Sequence, residues 1–467
     1  MAGAIPSEQV STAGQIDEPG YKDVASPMIS VSLVDGVAAI ERFSTEIDRL
    51  NAASARPNPF LSSAFLLCYA LRSEYHVPGV EERLYLIRDG ERLIGCAPMR
   101  RSLDILGPGI GPLRPCGTRL QVLAPFDTVQ PGVLSAPEDE ERVAAALVRY
   151  LFDNEKGWGM LEFVGQRPEG ALRKAIHAAA GDRFRVLEKQ PEPYTEVEIV
   201  WESLRAYFKS LGKKRGNNIS RQARRLFANG EPELVLAEGA PAVTAWLEAY
   251  CDLDGRSWKR DNYASIRRHP RRMRFYQEIA AGRGGLDPSF IGVLLDGVLI
   301  AGLIVGSNVT ASPKKHGGWC LEMAYDRSRA DLGPGQLLLL LAVGQAIERG
   351  DEFLNFMQNF AYYKHRWKAE PIDVVDIQAI RRMSFHSLRT SLRDLRRQWR
   401  NARARSAAGN SPVEGDDRKK EEDEQSVSPQ EQEHARRLAE AALAYDGPGV
   451  RRLDRAKSRL HLPFDLE

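Results

Sequence analysis

A chain of 467 residues is too long for one ordinary domain, and two domains with tails are the natural expectation. Hydrophobic residues make up 43% and charged residues 27%, as in a globular protein with some excess polar sequence. The net charge of +2 sets up no global field that would select nucleic acid, so any electrostatic message is local. Five cysteines are scattered without CxxC spacing, which argues against a disulfide framework or a zinc site and for a reducing compartment. No metal is expected. The first residues have no basic, apolar, small-residue pattern, and no apolar run approaches the roughly 20 residues of a spanning helix. The expectation is a cytoplasmic protein.

Residues 1–28 lack apolar periodicity and read as a disordered arm. A first lobe, 29–200, contains "RLYLIRDGERLIGCAPM", two apolar runs about Asp89-Gly90. Asp-Gly in that setting predicts a hairpin, because both central residues of a type I′ turn need positive φ. A helix, "ERVAAALVRYLF", and a strand, "MLEFV", follow it. Residues 203–230 then hold eight Lys or Arg and no acidic residue, a basic helical connector. A second lobe, 201–385, repeats the order: "FIGVLLDGVLIAGLIVG" about Asp296-Gly297, the helix "GQLLLLLAVGQAIERG", and the strand "FLNFM". The matching order predicts a duplicated α/β unit.

Residues 386–405 continue as a basic amphipathic helix. Phe385, Leu388, Leu392, Leu395 and Trp399 form one stripe that docks on the body or, over 385–400, lies on an anionic membrane surface. Residues 406–467 read as a low-complexity tail, with one short helix at 435–444.

The chemistry concentrates in the second lobe. Gly333-Pro334-Gly335 stands directly before the leucine-rich helix. Backbone N–H groups at a helix start are unsatisfied and carry about half a positive charge, and glycines let a phosphate approach them. Pro334 has no N–H, so the expected donors are Gly333, Gly335, Gln336 and Leu337, with Arg327 and Arg329 upstream. The plainer alternative is a tight turn with proline near the helix start. The first lobe has "SAPEDEER" at the same place, an acidic start that repels phosphate. Glu322, in the alternating "GGWCLEMAYD", shares a predicted face with Cys320 and Ala324 and is a candidate general base or a solvent-facing strand residue. The strand "FLNFM" and the loop after it deliver Asn355, Gln358, Asn359, Tyr363 and Lys364 near the strand's end, where open α/β sheets put ligand chemistry; the plainer alternative is an ordinary strand and surface loop. The connector suits RNA, cofactor phosphates or an anionic lipid or glycan, although thin aromatic interleaving argues against RNA. No Walker lysine, HExxH, nucleophile elbow or GxGxxG after a strand occurs.

With these residues in place, the chain resembles the CelD-like acetyltransferases, a branch of the GNAT (GCN-five-related N-acetyltransferase) superfamily related to the FemABX transferases. "NPFLSSAFL", "YFKSLGKKRGNNISRQARRL", "RSWKRDN", "RRMRFYQEIA", "LGPGQLLLLLAVGQAIERG" and "YYKHRWK" carry the resemblance in order. It implies tandem GNAT-like lobes of α/β (α+β) class, each a mixed sheet flanked by helices. It also implies acetyl-CoA or another acyl-CoA as co-substrate, its pyrophosphate on Leu332 to Gln336. The implied function is N-acylation of an amine on a small molecule or a sugar or exopolysaccharide precursor. The candidate roles are Glu322 as base, Tyr363 as acid and Lys364 for an anionic group, with Arg327, Arg329, Leu332, Gly333, Gly335, Gln336 and Asn355 about the cofactor. Relatives often carry Asp-Phe where this chain has Asn355-Phe356, and an amide cannot be a base. Two alternatives stay open: an aminoacyl-tRNA-dependent FemABX-type transferase, which the basic connector at 203–230 favours, and a catalytically degenerate binding or assembly protein, for which Asn355 speaks.

Overall fold

The computed structural model describes residues 29–55, 57–72, 80–105, 115–123, 128–260, 265–308, 316–357, 365–384, 429–445 and 448–453. The first half runs β1 (Ile29–Asp35), α1 (Val37–Arg42), α2 (Ser44–Ala53), α3 (Ser63–Arg72), β2 (Glu81–Asp89), β3 (Arg92–Ile105) and β4 (Pro115–Val122). It continues with β5 (Leu134–Ser135), α4 (Glu140–Asp153), β6 (Met160–Gln166), α5 (Ala171–Ala180), β7 (Phe184–Lys189) and β8 (Tyr194–Glu198). The basic connector forms α6 (Leu204–Ser210) and α7 (Lys213–Ala228). The second half runs β9 (Pro232–Glu238), α8 (Ala240–Arg256), α9 (Pro270–Ala280), β10 (Leu286–Leu295), β11 (Val298–Asn308) and β12 (Gly317–Tyr325). After it come α10 (Pro334–Arg349), β13 (Phe353–Asn355), β14 (Glu370–Ile372), β15 (Val375–Arg381), α11 (Pro429–Leu443) and β16 (Val450–Leu453).

These elements build two mixed sheets flanked by helices, and the duplication expected from the sequence is present. One sheet has the order β1-β2-β3-β4-β6, the other β9-β10-β11-β12-β13. Within each series every neighbouring pair is antiparallel except the last, β4 with β6 and β12 with β13, which is parallel. Both Asp-Gly hairpins form. Asp296 (φ 52°) and Gly297 (φ 74°) are the central pair of the second, as a type I′ turn requires. In the first the connection is Gly90-Glu91 instead, and only Gly90 takes positive φ, at 59°. That turn sits one residue further on than expected.

Beyond the shared order the two halves exchange a strand. β15 lies between β6 and β7 in the first sheet, while β8 lies between β13 and β14 in the second. The expected lobe limits, 29–200 and 201–385, are corrected at these two strands. Burial is the cause: Tyr194 and Val197 of β8 join the cores of the second sheet, and Val375, Ile377 and Ala379 of β15 join that of the first. In sequence β7–β8 and β14–β15 look like local pairs, but each second strand has its apolar face matched elsewhere.

The second sheet packs α10 and α7 on one face and α8 and α9 on the other. The latter core also takes Phe60, Phe65, Cys68 and Val129 from the first half. Phe65 meets Phe275 edge-on at 5.6 Å, and Phe60 meets Trp319 at 5.7 Å. The tail reading of 406–467 is corrected in part. α11 buries Ala435, Ala439 and Ala442 on the α8 side of the sheet, since small residues let two helices lie close, and β16 pairs with β9. The arm 1–28 and the basic helix 386–405, with its membrane-facing stretch 385–400, lie outside the described residues. No described helix is long and apolar enough to cross a membrane.

Candidate functional site

β12 and β13 pair over three residues only, Gly317↔Phe353 to Trp319↔Asn355, and then part. The rest of β12 bonds to β11 alone among the described strands, so a wedge opens in the sheet beside Cys320 to Tyr325. The segment at its mouth is Asp326 to Gly335. Asp326 caps a short 3-10 turn, Arg327–Leu332, its Oδ1 accepting from Ser328 N at 2.9 Å. The turn ends at Gly333 and α10 begins at Pro334.

Gly333 has φ 65° and ψ 35°, the left-handed conformation, and a Cβ built there would lie 2.5–2.8 Å from the Gln222 side chain of α7. The bareness at this position therefore serves the fold, since a basic helix is laid directly over the turn. Gly333→Ala is expected to destabilise by about 1–2 kcal/mol from the backbone conformation alone, and more as Gln222 is displaced. A chemical-denaturation curve with unchanged slope and a lower midpoint is the check. Gly335 has ordinary backbone angles, and its Cβ would touch the Tyr325 ring at 3.2 Å.

Two of the four expected donors are engaged within the turn. Gly333 N–H donates to Ala330 O, and Gln336 N–H to Gly333 O, both at 3.0 Å. Gly335, second in the helix, stands where helix starts leave an N–H without an intrahelical partner. The Gln222 and Gln336 side-chain oxygens are buried with no partner among the described residues. An amide whose oxygen lacks a donor can present its NH₂ instead by a flip. These groups, beneath a helix rich in Lys and Arg, fit a phosphate-bearing ligand. Leu332 is buried as a packing residue, while Arg327 and Arg329 are exposed on the turn. The first lobe's equivalent, Pro137–Asp139, is acidic, and its buried Asp139 pairs with Arg92 and Arg142.

Glu322 is buried, with 5% of its surface exposed, so the solvent-facing alternative is set aside. Its predicted companions need correction. β12 carries a bulge: Ile304 pairs with Glu322 and Val305 with Cys320, leaving Leu321 as an extra residue. The bulge breaks the alternation, so Cys320 packs with the α10 core while Glu322 turns with Ala324 towards α8 and α9. There Oε2 accepts from Arg272 at 2.7 Å and from the Tyr276 hydroxyl at 3.1 Å, and Oε1 pairs with Lys259. Arg272 and Tyr276 are one helical turn apart on α9 and so share a face. Lys259 arrives because α8 stops at Arg256 and Ser257 takes extended angles, its hydroxyl accepting from Lys259 N at 3.2 Å. Lys259 also reaches Asp254 at 3.2 Å, and Asp254 accepts from Ile266 N at 2.6 Å. Beside them the Tyr250 phenol is wholly buried, and desolvation first, then Asp254, pushes its pKa well above the usual tyrosine value.

Sequence reasoning quoted Lys259, Arg272 and Tyr276 within motifs but gave them no role. The detectable signal was the i, i+4 spacing of Arg272 and Tyr276 in one helical segment, whereas nothing in "RSWKRDN" sets Lys259 apart. Asn355, placed near the cofactor by the sequence, is 1% exposed, with its Nδ2 on Glu196 at 3.1 Å. Its Oδ1 accepts from Met357 N at 2.8 Å and so holds the reversal in which Met357 has φ 59°. The structure thus brings Glu322 and the glycine turn to one wedge and commits Asn355 to the strand end. Gln358, Asn359, Tyr363 and Lys364 lie outside the described residues.

Residues 213–365 match the family model described as an acetyltransferase (GNAT) domain. The match opens on the first residue of α7 and takes in the turn, α10 and β13. No curated protein matches the sequence. Among solved structures, FemX is 10% identical, over 72% of this chain and 96% of that one, with a TM-score of 0.49. A tandem GNAT protein from the clavulanic acid biosynthesis pathway is 14% identical, over 75% and 98%, with a TM-score of 0.43. A conserved protein of unknown function from Bacteroides thetaiotaomicron is 12% identical, over 76% and 100%, with a TM-score of 0.42.

Proposed function

We propose that the protein is an acyl-CoA-dependent N-acyltransferase of GNAT type, of the CelD-like branch, acting in the cytoplasm on an amine of a small molecule or a sugar or exopolysaccharide precursor. The observation that carries this reading is the wedge between β12 and β13 with a glycine-started helix at its mouth, inside the matched segment. In this reading the pyrophosphate lies on Gly335 N–H and the Gln222 and Gln336 amides, with Arg327 and Arg329 supplying charge from the exposed turn. The bound acyl-CoA supplies an activated thioester carbonyl. The chain's own residues bind it, orient the amine and take up a proton.

Glu322 is the proton acceptor in this proposal. Its Oε1 is opposite the Lys259 ammonium, so an acceptor ammonium can exchange with like for like at that oxygen. Arg272 and Tyr276 hold the other oxygen in place. Tyr363 remains the proposed acid and Lys364 the proposed anion contact. The same geometry also gives weight to a second reading, a binding protein without turnover, because every contact around Glu322 is already filled by the protein itself.

The test is a thermal shift with coenzyme A and acetyl-coenzyme A on wild type and Gly335→Glu. An acidic residue in a first helical turn suits the helix dipole, so the variant folds, yet it repels phosphate. Ligand at a hundred times its Kd adds about 2.7 kcal/mol of stability. We expect that rise in wild type and its loss in Gly335→Glu. No rise in wild type sinks the acyl-CoA reading; a rise without transfer to any amine favours the binding protein.

A further inference from the structure

A cavity of about 630 Å³ lies between the end of α8, the segment 265–268 and the start of α11. Arg256, Arg260, Arg267 and Arg268 line it, against two carboxylates, Asp252 and Glu431. Asp252 is already held by Arg256 at 3.1 Å and Arg267 at 3.5 Å. Arg260 is exposed and has no carboxylate partner among the described residues. Ser265, also in the wall, is 1% exposed, and its hydroxyl has no partner there either. Arg256 is taken up by Asp252 and Asp326, so the donors this wall offers a ligand are the buried Ser265 hydroxyl and the exposed Arg260 guanidinium, both of the kinds that phosphate recognition uses. The wall is continuous with the transfer centre: Ile266 N–H, next to Ser265, donates to Asp254, which pairs with Lys259, which pairs with Glu322.

We propose that this cavity holds the phosphate of an acceptor that also carries the amine to be acylated, an inference that rests on the acyltransferase reading above. α11 then forms one wall of an acceptor site, separate from the glycine turn that takes the acyl donor.

Gly255 gives a clean test, because it lines the cavity and a Cβ added there meets nothing within 4 Å. Gly255→Leu adds bulk where a Cβ has open space and lies in a helix, where glycine is unfavourable, so the fold is kept. The probe is phosphoethanolamine, with ethanolamine and inorganic phosphate as controls, titrated by calorimetry into the full chain. Wild type and Gly335→Glu are expected to bind the probe alike. Gly255→Leu and Arg260→Glu should bind it at least tenfold more weakly while melting at or above the wild-type temperature or close to it, respectively. Ethanolamine should not bind, and inorganic phosphate should bind at least tenfold more weakly than the probe. Loss of binding in Gly335→Glu would put the anion at the helix turn and overturn the proposal, as would binding that survives Gly255→Leu. Inorganic phosphate binding as tightly as the probe overturns the acceptor assignment. If coenzyme A stabilises wild type but the probe does not bind, the acyltransferase reading stands and this one falls. If the probe binds in the cavity and coenzyme A binds nowhere, the acceptor role falls with the function it rests on.

Discussion

Residues 29–200 and 201–453 produced as separate polypeptides will not fold, whereas the two produced together will assemble and co-purify. Each fragment lacks a strand from the interior of its sheet. Without β8, β13 and β14 of the second sheet lose their shared neighbour; without β15, so do β6 and β7 of the first. Backbone donors and acceptors left unpaired in a buried sheet cost about 1–3 kcal/mol each, and a whole domain is stable by only about 5–15 kcal/mol. A handful of such groups exhausts that margin. The shared core adds to it, because Phe60 and Phe65 would leave Trp319 and Phe275 facing water. Circular dichroism melts of each fragment and of the mixture decide the matter. A soluble second fragment that melts cooperatively alone would show that the exchanged strands are dispensable.

The second large effect is at Glu322. Replacement by alanine leaves the buried Lys259 and the partly buried Arg272 around a missing anion, and breaking a buried ion pair at one partner costs about 3–5 kcal/mol. Glu322→Gln keeps the side-chain shape and an oxygen for Arg272 and Tyr276 and leaves Lys259 its contact with Asp254, so it should lose less stability than Glu322→Ala. An amide cannot take up the proton, so under the proposed mechanism it should recover none of the acyl transfer. Urea midpoints and a single-turnover assay separate these quantities. Transfer that returns with stability in Glu322→Gln would falsify the proton-acceptor role and leave Glu322 as an anchor only.

Local features of this fold were open to reading from sequence, and the reason is visible in which ones they were. Asp296-Gly297 names its own turn because few residue pairs tolerate two positive φ angles in succession. The leucines from 337 to 341 declare a buried helix. β8 and β15 declare nothing about their partners: their apolar residues fit either sheet, and the choice follows from complementarity across about two hundred positions of chain. The bulge at Leu321 is equally silent, yet it decides which face Glu322 occupies. The glycine turn was legible as a helix start, but the contact with Gln222 that also demands Gly333 was not, since it comes from a separate helix. Lys259 and Arg272 carry no role in the sequence reading, because burial of a charge depends on a counter-charge that only the folded chain brings near.

β16 carries a practical consequence for handling the protein. It lies on the outer side of β9, pairing Val450 with Ala237 through Leu453 with Leu234. β9 is a strand of largely buried residues, and a strand of that kind with an open edge offers a template for any passing chain. The short, arginine-bearing β16 closes it. Trimming the molecule back to the end of β15, an obvious choice when the last eighty or so residues are dismissed as a tail, would uncover a sticky seam. The shortened protein would then be prone to self-association, and poor behaviour in concentrated solution would reflect a lost cover strip rather than a fault in either lobe.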